Sequence, residues 1–153
     1  MTAKNCATNT MQDCLAEAEQ RCMQRGARLT DLRRSIFEIL LAARKPVKAY
    51  DIIECMRDRG QRLTPASIYR TLEFLLGHGL AHRVNALNAY VPCTGPHEEQ
   101  ALLLFVCSGC RGTTEIDDRV LYDAVRSRLA GLGISLRNGC IEIQGICRNC
   151  LQA

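Results

Sequence analysis

The chain has 153 residues, 47% of them hydrophobic, which excludes a disordered chain and is enough for one ordinary domain or two small ones. No apolar run reaches the length of a membrane span, and Met1 to Gln20 is polar and lacks a secretory apolar core, so a cytoplasmic protein is expected. The first 92 residues carry 14 Lys+Arg against 9 Asp+Glu, net +5, and the remainder 6 against 7, net −1, which pairs a polyanion-binding module with a near-neutral one.

Met11, Leu15, Ala18 and Cys22 share one face of a predicted helix over about 11–25, which Gly26 ends. Thr30 is the N-cap of a second helix, with Asp31 in its first turn and Ile36, Phe37, Leu40 and Leu41 inward. Lys45-Pro46 bounds it. A third helix over about 48–58 buries Ile52, Ile53 and Met56 before Gly60. Thr64 as N-cap with Pro65 at the first helical position starts a fourth. It turns Ile68, Leu72, Leu75 and Leu76 inward, with Ser67, Tyr69, Arg70 and Glu73 on or near the other face.

Strands over 80–85 and 88–92 follow, with a turn near Asn88. Three helices and a hairpin make a winged helix-turn-helix, here preceded by an extra helix. In that context Tyr69 and Arg70 are the candidate base-reading residues. An Arg can bond guanine O6 and N7 in two-pronged fashion, and a Tyr can meet a thymine methyl or a phosphate. Outside it they would be helix-edge packing and a solvated charge.

Turn residues at 93–97 form a hinge between residues 1–92 and a second module, 98–153. Ala101 to Val106 reads as a buried strand, and Thr113 to Ile116 as its hairpin partner. A helix over about 118–130, capped by Asp117, turns Val120, Leu121, Ala124, Val125 and Leu129 inward. Further strands are expected at 134–136 and 140–146. The fold class is α+β: a winged-helix DNA-binding domain, then a small α/β dimerisation domain whose thin core needs a metal staple or a partner.

Cys107-Ser108-Gly109-Cys110 and Cys147-Arg148-Asn149-Cys150 bracket that second module. Each is a C-x2-C, and together they supply the four thiolates of a closed tetrahedral zinc site. Four buried structural cysteines, or a thiol redox protein, are the other readings. A zinc hydrolase would keep an open coordination position and a general base, and no H-E-x-x-H or deaminase pattern occurs. No enzyme is expected. Cys6, Cys14, Cys22, Cys55 and Cys140 fit no ligand spacing; Cys22 and Cys140 are expected to be buried.

These pieces, in this order, resemble the ferric uptake regulator family of metal-sensing repressors from about residue 11 to residue 150. Arg28-Leu29-Thr30 resembles the family's basic stretch before the second helix, and 65–72, Pro-Ala-Ser-Ile-Tyr-Arg-Thr-Leu, its recognition helix. The two C-x2-C pairs resemble its structural zinc site. Within the family the segments at 49–53, 69–75, 80–84 and 88–93 are most similar to the zinc uptake regulator branch. The resemblance implies a second, sensory zinc on His82, Cys93, a loop histidine and Glu115. The family's loop position falls here on Gln100, so the histidine is assigned as His97, with Glu98 and Glu99 as substitutes.

The resemblance also brings Arg28 to DNA, where Lys48, Arg62 and Arg83 could add phosphate contacts. It implies a homodimer holding two zinc ions per chain. When zinc-loaded it would bind a palindromic operator in double-stranded DNA and repress zinc uptake and homeostasis genes. No small-molecule substrate and no membrane partner are implied. An iron- or peroxide-responsive member of the family is the alternative, although a thiolate ligand at Cys93 suits zinc better.

Overall fold

The computed structural model describes residues 10–43, 45–93, 102–136 and 140–152. The described residues up to Cys93 form one compact unit and those from Leu102 another. The architecture is α+β, a winged helix-turn-helix followed by a small α/β unit.

Four helices open the first unit: α1 (Met11–Gln24), α2 (Asp31–Ala42), α3 (Ala49–Asp58) and α4 (Pro65–Gly77). Two of them, α1 and α4, begin at a threonine whose side chain satisfies an amide that lacks an intrahelical partner. Thr10 and Asp13 form a capping box on α1, and the Thr64 hydroxyl accepts from the Ser67 amide at 3.3 Å on α4. Thr30 occupies the N-cap position of α2, but its side chain makes no capping bond. At the end of α1, Gly26 takes φ +66°, and the Ala27 amide closes onto the Cys22 carbonyl at 2.9 Å. Leu15, Ala18, Cys22, Ile36, Phe37, Leu40, Ile52, Met56, Ile68, Leu72 and Leu75 interlock as one core. Burial of the Leu, Ile, Phe and Met side chains among them stabilises the unit by roughly 1.5–3 kcal/mol each.

The wing is the antiparallel pair β1 (Ala81–Val84) and β2 (Ala89–Pro92), with His82 opposite Val91. A 3-10 turn at Asn85–Leu87 and left-handed Asn88, φ 47°, reverse the chain. Val47 adds a bridge to Tyr90 through two backbone bonds of 2.8 and 2.9 Å. The wing is thereby tied to the segment entering α3.

The second unit is a three-stranded sheet, ordered β4 (Thr113–Ile116), β3 (Leu102–Cys107), β5 (Cys140–Gly145), with α5 (Arg119–Gly131) between β4 and β5 in sequence and a final turn of helix, α6 (Arg148–Leu151). β3 is central, antiparallel to β4 and parallel to β5, and five of its six residues are buried. Three expectations need correction here. Asp118, not Asp117, caps α5, its carboxylate accepting from the Leu121 amide at 2.9 Å. Residues 134–136 form no strand. The expected inner face of α5 is largely outside: Val120 is 82% exposed, Leu121 and Ala124 are exposed, and Tyr122 is the buried residue.

Candidate metal centre and nucleic-acid surface

Parallel pairing of β3 with β5 sets Cys107 opposite Gly145, so both strands end at the same edge of the sheet. Each is followed at once by a C-x2-C turn. The Sγ atoms of Cys107, Cys110, Cys147 and Cys150 all lie within 4.8 Å of one another. Cys110 Sγ and Cys147 Sγ are 3.9 Å apart, far beyond a disulfide bond of about 2.05 Å. A tetrahedron of Zn–S bonds of about 2.3 Å has edges of about 3.8 Å, so the spacing fits the ion.

The backbone is shaped to this cluster. The Arg111 amide donates to the Cys107 carbonyl at 2.9 Å, and the left-handed φ of 60° at Arg111 then turns the chain. A Cβ on Gly109 would lie 3.1 Å from Cys150 Sγ and 3.7 Å from Cys107 Sγ, so a larger residue there would press on the Cys150 sulfur. The Cys147 amide donates to Cys107 Sγ at 3.3 Å. Amides of Cys110 and Cys147 above all, and of Gly109, hold the Cys107 thiol down at about 6. Cys150 is pushed up to about 12, first by hydrogen bonds with the Cys147 and Cys107 side chains and then by burial. One thiolate is thus favoured without metal, and four together call for a cation.

Two of the expected sensory ligands sit together in the first unit. His82 lies opposite Val91, and Cys93 is two residues beyond Val91, so the two share a face as diagonal neighbours. A ring nitrogen of His82 and Cys93 Sγ lie within 4.8 Å. The Cys93 amide donates to the Leu80 carbonyl at 2.9 Å, extending the hairpin to that residue. Glu115 lies on β4, paired with Leu104. His97, Glu98, Glu99 and Gln100 lie outside the described residues, as do most of the hinge and Cys6. Sequence reasoning missed Arg21, whose Nη1 lies 4.0 Å from Cys93 Sγ and donates to the Gly79 carbonyl at 3.1 Å. A contact spanning 72 residues leaves no local pattern.

Among the other cysteines, Cys22 is buried, Cys55 is exposed, and Cys14 and Cys140 are half-buried. Burial, with Glu142 and Glu115 nearby, pushes the Cys140 thiol up to about 11.

On α4 the Thr64 cap leaves Tyr69 and Arg70 in the second turn, both exposed, Tyr69 to 51%. Arg28 is also exposed, in the segment between α1 and α2, and its carbonyl accepts from Arg33 Nη1 at 2.6 Å. Lys48, Arg62 and Arg83 are exposed, with Arg83 bonded to Asn88 Oδ1 at 2.9 Å near the wing tip.

Residues 24–144 match the model of the ferric uptake regulator family. The chain belongs to this family. It is 32% identical over 146 residues to the zinc uptake regulation protein of Escherichia coli (strain K12), covering 94% of this chain and 84% of that protein. A solved zinc uptake regulator complexed with zinc and DNA is 31% identical and superposes with a TM-score of 0.84, over 95% of this chain and 97% of the other. The crystal structure of holo XcZur is 30% identical, with a TM-score of 0.80 over 91% and 97%. Family regulators thus share this chain's fold through both units. No helix among the described residues is long and apolar enough to cross a membrane.

Proposed function

We propose that the chain is a zinc-responsive transcriptional repressor, a homodimer that binds a palindromic operator in double-stranded DNA and controls zinc uptake and homeostasis genes. The observation that carries this reading is the His82–Cys93 pair on the wing, directly after the recognition helix. An imidazole and a thiolate suit Zn(II) better than Fe(II) or Mn(II). The E. coli zinc uptake regulation protein and the zinc- and DNA-bound regulator support the same assignment.

Two zinc ions per chain are proposed. Cys107, Cys110, Cys147 and Cys150 would hold a structural ion, and His82, Cys93, His97 and Glu115 a sensory one, with Glu98 or Glu99 as the substitute for His97. The domains are 1–92 for DNA, 93–97 as hinge and 98–153 for dimerisation. With ligands drawn from both domains, occupancy restricts their relative angle and sets two reading heads at half-site spacing. Arg28, Tyr69 and Arg70 contact the operator. The protein works in the cytoplasm as a regulator and not an enzyme, with no small-molecule substrate.

The test is zinc content and operator affinity before and after mild chelation. One zinc is expected to leave and one to stay, and affinity to fall by about 5- to 150-fold, the usual span of allosteric coupling. Cys93→Ser is expected to abolish the zinc response and leave the four-cysteine zinc in place. Unchanged affinity after loss of the labile ion would sink the sensor reading. A zinc response that survives Cys93→Ser would mean that Cys93 is not the selective ligand.

A further inference from the structure

The segment bearing Arg28 is held by a neighbour that the metal and DNA assignments leave without a role. Arg33, in the first turn of α2, stacks its guanidinium on the Phe74 ring of α4, Cζ lying 3.4 Å from the centroid. Its Nη1 donates to the Arg28 carbonyl at 2.6 Å. The Phe74 ring also stacks on His78, centroids 3.9 Å apart and planes at 26°. His78 in turn donates from Nδ1 to the Phe74 carbonyl at 2.8 Å. Phe74 lies four residues beyond Arg70, on the same side of α4.

Only an arginine can do both jobs at once. Its planar cation offers a face to the ring while its edge keeps donors free in the ring plane. A lysine can supply a charge or a bond here, but not a stacked fork. The Arg28 carbonyl belongs to a short connection whose neighbouring Leu29 is buried and whose Arg28 side chain is exposed. Fixing that carbonyl fixes the Cα from which the exposed side chain starts. A long charged side chain loses less freedom on binding when its backbone is already set.

We propose that Arg33 is a positioning residue for DNA binding: stacked on Phe74, it locks the Arg28 backbone at a fixed offset from the recognition helix. Arg28 and Arg70 can then engage one duplex simultaneously. This rests on the reading of Arg28 as a DNA contact, and the test separates the two.

Zinc-loaded full-length variants are titrated against a duplex selected from a random library by the wild-type chain. Arg28→Ala alone tests the underlying reading; if it binds like wild type, that reading fails, and this inference with it. Given a weakened R28A, R33A is expected to weaken binding about fivefold and lower the salt slope by about 1, as loss of one phosphate contact does. In an R28A background R33A should cost nothing more, whereas in an R70A background the full fivefold should persist, because distant independent sites add. R33K should behave as R33A, and F74Y as wild type. A fivefold loss that persists in the R28A background would overturn the proposal, since Arg33 would then act on DNA by itself or through the fold. Wild-type binding by R33A and R33K would overturn it equally.

Discussion

Cys107 and Cys150 are one chemical group in two settings. Amide donors favour the thiolate at Cys107, while hydrogen bonds among the sulfurs and burial favour the thiol at Cys150. The sign for Cys107 follows from linkage. Its folded value, about 6, lies below the ordinary 9.0, so its contribution to stability is fully present above pH 9.0 and is lost as pH falls through about 6. Metal-free protein is therefore expected to show a thiolate absorbance step near pH 6, and Cys107→Ser to lack it. A single step near pH 9 in both proteins would contradict the amide cradle. The four cysteines were legible because C-x2-C spacing is local. Arg21 and Arg33 were not, because their partners are distant in sequence or lie on another helix, and no period or spacing marks a guanidinium that reaches a thiol or a ring.

Helix starts were the most legible elements, since a cap is a short-range device. Thr64 with Pro65 fixes the first turn of α4, and Thr64→Ala is expected to cost about 1 kcal/mol, read as a lower denaturant midpoint. An unchanged midpoint would mean that Pro65 alone sets the start. On α5 the same reasoning slipped by one residue, because Asp117 and Asp118 are adjacent and only the strand's exit direction decides which carboxylate reaches Leu121. Its inner face was misread for a deeper reason. Periodicity identifies an apolar stripe but not what covers it, and Val120 shows that this chain leaves part of the stripe open. Thin patterning likewise failed at 134–136, where Ile134 is 49% exposed and no strand forms.

At the scale of the molecule, the second unit exposes Val120, Leu132 and Leu151 to 82%, 74% and 72%. Large apolar side chains left open in this way fit a unit that pairs with another copy. Val120→Asp with Leu132→Asp is expected to convert a dimer into a monomer in sedimentation and to retain the four-cysteine zinc. A variant that stays dimeric would place the seam elsewhere. The parallel pairing of β3 and β5 has another consequence. Both cysteine pairs sit at one edge of the sheet, so an ion there closes the chain from 107 to 150 into a ring independent of the peptide bonds between β4 and β5. A single proteolytic cut within α5 should then leave two pieces that migrate as one native protein and part when a strong chelator takes the metal. Within that stretch, the ion and the sheet would hold the molecule together after the covalent thread is cut.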